Sequence, residues 1–141
     1  MSFTLNAQLA SDTFPVVSLP LCELLLMNDA SYPWLILVPR QQGATEVIDL
    51  TQADQSQLWV ESAAVAHMLR DDFGAEKLNI AALGNVVAQL HVHHIARFHA
   101  DQAWPKPVWG AFDAKPYAAS EIEPMVKRIC RANALAHFEI G

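Results

Sequence analysis

Two cysteines, Cys22 and Cys130, are all that this chain carries, and they lack both the CxxC spacing of a zinc site and the density of a disulfide scaffold. That excludes a disulfide-stapled secreted domain and leaves both thiols as expected small core residues. Positive charge is scarce as well: 9 Lys and Arg face 15 Asp and Glu, a formal net charge of −6. Broad polyanion-binding surfaces draw most of their affinity from clustered Lys and Arg, so nucleic acid is not an expected partner, although a local pocket still suits a small anion. Long hydrophobic runs are missing too. The best candidate, Val16 to Met27, is broken by Ser18, Pro20 and Glu23, and Met1-Ser2-Phe3-Thr4 lacks the basic region of an export signal. The expected setting is a reducing cytoplasm, with no membrane partner. No repeat, low-complexity tract or linker divides the 141 residues, so 1–141 reads as a single domain.

What the chain has in abundance is apolar material, 52% of residues against 17% charged, which favours compact folding and leaves apolar surface for a subunit interface. Leu5 and Leu9 at i, i+4 predict a short amphipathic helix over Thr4 to Asp12, ending before Phe14-Pro15. Leu21 to Met27 and Trp34 to Pro39 predict two strands joined by the polar turn Asn28-Asp29-Ala30-Ser31-Tyr32-Pro33. Their near-continuous apolar character requires cover on both faces. A long helix starts at Thr51, a suitable N-cap, carries Leu58, Ser62, Val65, Ala66, Leu69 and Phe73 at helical spacing, and is stopped by Gly74. Leu78 to Leu83 and Val86 to His93 flank Gly84-Asn85 and predict a hairpin with a tight two-residue turn. Ser120 to Glu123 reads as a capping box opening a C-terminal helix to about Asn133, with Met125, Val126, Ile129 and Cys130 on one stripe. The expected fold is α+β: an antiparallel sheet of about five strands, one long helix across it and a C-terminal helix beside it.

Four of the six histidines fall between positions 91 and 99. In the predicted strand, Gln89, His91 and His93 point to one side and Leu90, Val92 and His94 to the other, because side chains alternate. Two imidazoles on one face make a site the natural reading, with His94 structural or interfacial.

Gln89-Leu90-His91-Val92-His93-His94-Ile95-Ala96-Arg97 resembles the signature of the histidine-triad (HIT) family, in which three histidines alternate with apolar residues before two apolar positions and often Pro-Arg. Anchored on Ile95-Ala96-Arg97, the middle and third histidines fall on His91 and His93, the first on Gln89, and Ala96 replaces the proline. Starting the triad at His91 instead would lose the match at Arg97. The order of elements over positions 20 to 100 follows the family layout, with the Trp-Pro segment and last helix at 101–141 outside that core. The resemblance implies hydrolysis or transfer of a nucleotidyl group from a purine-nucleotide derivative such as a dinucleoside polyphosphate or a nucleoside phosphoramidate, without a cofactor, by a homodimer. It makes His91 the nucleophile. His93 and Gln89 would steady the phosphate, Asn79 and Asn85 would contact it from the hairpin, and Asn28 and Asp29 would approach the ribose. Trp34 stands where the family often has a histidine.

The chemistry suits these residue types. Neutral imidazole is a good nucleophile near neutral pH, and its phosphorus adduct is displaced in turn, so one hard step becomes two easier ones. His91 would need its other nitrogen held, for which a carbonyl from a neighbouring strand is expected. His93 would donate where charge builds on the phosphate. Gln89 can hydrogen-bond but cannot carry a proton, so no acid role remains there. Two other readings stand beside this one: a nucleotide-binding protein with little turnover, and a metal site built on His91 and His93 with help from His99 and Asp101. Trp104-Pro105-Lys106-Pro107-Val108-Trp109-Gly110 reads equally as a lid or an interface. Asn28 and Asp29 equally suit a simple turn. His67 and His137 look like ordinary helix and tail residues.

Overall fold

Five strands form one antiparallel sheet in the order β1-β2-β3-β5-β4, with β1 at Thr13–Ser18, β2 at Cys22–Met27, β3 at Trp34–Pro39, β4 at Lys77–Ala81 and β5 at Val92–Arg97. The computed structural model describes residues 2–138. Its helices are α1 at Ala7–Asp12, α2 at Gln52–Asp71 and α3 at Ala119–Cys130. The α+β class, the strand number, the long helix and the C-terminal helix are those that the sequence predicts. Among the described residues no helix is long and apolar enough to cross a membrane.

Both faces of the sheet are covered, which accounts for the unbroken apolar runs of β2 and β3. On one face Leu24, Leu26, Leu35, Leu37, Val92 and Ala96 pack against Leu58, Val65, Met68 and Leu69 of α2, with Ile129 of α3 and Leu135 closing the cluster. On the other, Leu25, Trp34, Ile36, Val38 and Ile95 pack against Leu9 of α1, Tyr32, Ala103 and Val108. β5 alternates between the two, so His94 faces α2 while His93, Ile95 and Arg97 face the opposite side.

The long helix is bounded as predicted. Thr51 Oγ1 accepts the Asp54 N–H at 3.1 Å, and Gly74 just beyond the end has φ +74°, a conformation that favours glycine. Within α2 a fully buried carboxylate, Glu61, accepts the backbone N–H groups of Leu21 and Cys22 at 2.9 Å each and Gln57 Nε2 at 2.8 Å, tying the helix to the start of β2.

One strand is added to those located from the sequence, and several local expectations are corrected. The segment after α1 is a strand: β1 pairs with β2 from Thr13↔Met27 to Ser18↔Glu23, with a bulge between Pro15 and Val17. An edge position tolerates Pro15, which has no N–H to give. Gly84-Asn85 does not form a two-residue turn, because ten residues, 82–91, connect β4 to β5 and Gln89, Leu90 and His91 precede the strand. Both helix starts move: α1 begins at Ala7, capped by Asn6 Oδ1 from Gln8 N at 2.8 Å, and α3 begins at Ala119, where Glu121 Oε1 accepts the Ala118 N–H at 2.9 Å. α3 also ends at Cys130, followed by a separate short turn at Asn133–Leu135, and the Cys130 thiol is exposed.

Candidate active site

His91 sits just before β5, with its Nδ1 2.7 Å from the backbone oxygen of Gln89. A carbonyl only accepts, so Nδ1 carries the proton and Nε2 carries the lone pair. The holding carbonyl comes from two residues upstream on the same segment, not from a neighbouring strand as expected. Though only 7% exposed, His91 lines a cleft of about 320 Å³ and is not sealed in the core.

His93 lies beside it, ring centroids 4.9 Å apart. Trp34 Nε1–H donates to His93 Nδ1 at 3.0 Å, which puts the His93 proton on Nε2. Burial, helped by the rings of His91 and His94, pulls His93 down to about 3, so it is a neutral donor at ordinary pH. Trp109 meets His93 edge-on at 5.1 Å and Trp34 at 5.9 Å, completing an aromatic wall. His91 thus presents a nucleophilic nitrogen and the neutral His93 an N–H donor.

His94, on the α2 side, is fully buried and serves the core. Its Nδ1–H donates to Val92 O at 3.1 Å, so Nε2 accepts the Ser62 hydroxyl at 2.7 Å, and burial pulls its pKa down to about 4. Ser62 was legible as a polar residue on a buried helix stripe, but its partner was not.

The remaining predicted site residues divide sharply. Asn85 lines the cleft with His91 and His93. The side chain of Gln89 turns away, bonding Asn6 N at 2.8 Å and Thr4 O at 2.9 Å, so the expectation that it steadies the phosphate is not supported by its placement. Asn79 accepts from Arg97 Nη1 at 2.8 Å, outside the cleft. Asn28 Oδ1 accepts the Tyr117 N–H at 2.9 Å, and Asp29 Oδ1 accepts those of Ser31 at 3.0 Å and Lys115 at 3.3 Å. Asn28 and Asp29 thus organise loops, while Asn79 ties β4 to Arg97 of β5. The cleft instead receives Gln8 and Asp12 from α1, Met27 from β2 and Trp109, none of which carried a site signal except the indole.

The metal reading loses its supporting ligands. His99 Nδ1 pairs with Glu76 at 3.1 Å, Asp101 is bound by Arg97, and His93 Nδ1 is occupied by Trp34. Among the described residues no group of three or more His, Cys, Asp or Glu side chains is placed to hold a metal ion.

The Trp-Pro segment is anchored by Arg97 at the end of β5. Its guanidinium donates to both Asp101 oxygens at 2.8 and 3.0 Å and to Lys106 O at 2.8 Å, and stands 5.5 Å from the Trp104 ring. The hydrogen bonds from Arg97 hold the Asp101 carboxyl down at about 2. Within this chain the segment packs onto the sheet through Ala103 and Val108 and supplies Trp109 to the cleft.

The HIT domain profile matches residues 8–100, about two thirds of the sequence. The chain belongs to the HIT domain family. Among solved structures it is similar to a histidine triad protein from Marinobacter aquaeolei (40% identity, TM-score 0.93, covering 99% of this chain and 100% of that one). It is also similar to the histidine triad protein blr8122 from Bradyrhizobium japonicum (44%, 0.91, 94% and 98%). A third, SMc02904 from Sinorhizobium meliloti, is 48% identical with a TM-score of 0.90, covering 92% of this chain and 96% of that one. No curated protein matches the sequence. In this HIT domain the histidine segment and every cleft-lining residue except Trp109 fall inside the matched residues, whereas α3 and the Trp-Pro segment that supplies Trp109 lie beyond them.

Proposed function

We propose that this HIT domain protein is a nucleotide phosphohydrolase or nucleotidyltransferase acting on a purine-nucleotide derivative through a covalent adduct on His91. The observation that carries the reading is the bond from His91 Nδ1 to Gln89 O, which fixes the tautomer and leaves a nucleophilic Nε2 on the cleft. Nε2 bonds to phosphorus as the bond to the leaving group breaks. The leaving group takes that electron pair and a proton from water. A water molecule, or another acceptor hydroxyl, then attacks the same phosphorus, Nε2 recovers its electron pair, and the attacking oxygen loses its proton. His93 Nε2–H donates to the oxygen on which charge accumulates, and the Asn85 amide at the cleft rim is a second donor.

Incubation with an α-labelled nucleotide conjugate tests this. An acid-labile, base-stable adduct on wild type that is absent from His91→Ala, with turnover lost in that variant, is the expected result. Tight binding without adduct or product would favour a binding module instead. That second reading has its own support, since Gln89, at the first triad position, is committed to the protein's own backbone.

We also assign the exposed apolar side chains Trp59 and Val60 of α2 and Ile80 of the edge strand β4 to a homodimer interface, to be checked by sedimentation of wild type against Trp59→Glu. The wild type is expected to sediment as a dimer and the variant as a monomer. A cytoplasmic location fits the low cysteine count.

A further inference from the structure

The side chain that the resemblance places at the first triad position works as a clasp. Gln89 Oε1 accepts the Asn6 N–H and Nε2 donates to the Thr4 carbonyl, so one amide imitates a strand pairing with chain more than 80 residues away. Beyond the clasp Asn6 caps α1, Leu9 is buried in the cleft-side core, and Thr13 Oγ1 donates to Leu9 O at 2.6 Å. The short helix is thereby fastened at both ends, and its Gln8 and Asp12 are fixed as a wall of the cleft. Gln8 Nε2 donates to Asp12 Oδ1 at 2.9 Å, orienting the carboxylate.

The charge of this cleft is one-sided. Among the described residues none lining it is Lys or Arg. The cation on β5, Arg97, is turned to Asp101 and Asn79, and His93 on the cleft carries no formal charge. Among the described residues the Asp12 carboxylate is the one Asp, Glu, Lys or Arg side chain on the wall. The volume, about 320 Å³, sits at the small end of ligand clefts, which run from about 300 to 1,000 Å³.

We propose that Asp12, held over the cleft by the Gln89 clasp, is a charge filter that admits nucleoside monophosphate conjugates whose second half carries no negative charge and turns away polyphosphates. The inference rests on the nucleotide reading above and narrows it. Each additional phosphate brings a negative charge toward the half-buried Asp12, with no cation among the described lining residues to offset it. A single phosphoryl group needs only the neutral donors of His93 and Asn85.

The test compares kcat/KM for two substrates sharing one nucleoside: its 5′-monophosphate joined to an uncharged amine, and the symmetrical dinucleoside triphosphate. Wild type should prefer the uncharged conjugate by about tenfold or more, and isosteric Asp12→Asn should raise the triphosphate relative to it by about five- to tenfold, mostly through KM. Gln89→Ala should move the ratio the same way and speed amide hydrogen exchange over residues 6–12. A ratio unchanged by Asp12→Asn would overturn the filter while leaving the nucleotide chemistry standing. Faster exchange in Gln89→Ala with no change in ratio would overturn the clasp's part in it. Turnover of neither substrate by wild type would overturn both readings.

Discussion

Trp34 donates its indole N–H to Nδ1 of His93 at 3.0 Å, across the antiparallel pair β3 and β5 in which Ile36 stands opposite His93. The two residues are diagonal neighbours on one sheet face, close enough for large side chains to meet. The indole therefore decides which nitrogen of His93 faces the ligand with a proton. Trp34→Phe keeps an aromatic ring and deletes the donor. It should cost about 1–3 kcal/mol of stability through the unpaired buried nitrogen. It should also lower kcat by about tenfold to a hundredfold with a smaller change in KM, since a donor felt in the transition state loses its orientation. Chemical denaturation, steady-state kinetics and ¹⁵N chemical shifts of the His93 ring check the three effects, the last being one that lost packing alone would not produce.

Acid should destabilise the fold early. His93 and His94 sit at about 3 and about 4 in the folded protein, against about 6.5 when unfolded, so the unfolded chain binds more protons below pH 6.5. Stability is then fully present above 6.5 and falls as the pH drops. The slope is about 1 kcal/mol per pH unit for each histidine, and the two together fall most steeply near pH 5, where the unfolded imidazoles are protonated and both folded ones are still neutral. Urea titrations at pH 7, 6, 5 and 4 measure it; a flat profile over that range would contradict the buried neutral assignment.

Ser62→Ala separates the two faces of β5. It leaves His94 Nε2 without its donor in a fully buried place and should cost about 1–3 kcal/mol in the unfolding free energy. Because His94 points into the α2 side, KM for a nucleotide substrate should stay within about twofold of wild type below the melting transition. A thermal melt and a Michaelis curve on the same preparation suffice.

Arg97 and Asp101 form an ion pair with side chains 1% and 4% exposed, so removing one partner strands a buried charge. Asp101→Asn should cost about 3–5 kcal/mol. It should also loosen the Trp-Pro segment, read as raised Trp109 fluorescence quenching by acrylamide. Because Trp109 leans on His93, substrate KM should rise with it.

The strongly apolar β2 and β3, the capped and glycine-stopped α2 and the parity that puts His91 and His93 together were all legible, since each depends on near neighbours in sequence. β1 was not, because Pro15 argues against a strand unless one knows that it lies on the edge, and edge position is a property of the whole sheet. Val86, Val87 and Leu90 imitate strand alternation, yet Val86 is 95% exposed, with no partner strand to reward pairing. Asn28, Asp29 and Asn79 carry donors and acceptors of the right kind for a nucleotide, but their partners lie 18 to 89 positions away or in the adjoining turn, and no local pattern announces them. The same holds for Gln89 and for Asp12, whose place on the cleft follows from how the N-terminal segment is fastened.

Glu61 offers one more consequence through the thiol beside it. Burial first, then the carboxylate's charge and hydrogen bond, push the Cys22 thiol far above its ordinary range, whereas Cys130 is on the surface. Alkylating reagents act on the thiolate, so Cys22 stays silent for as long as α2 remains docked on β2. Once Cys130 has been changed to serine, the rate at which a maleimide marks the chain becomes a native stopwatch for the parting of helix and sheet, needing no added fluorophore.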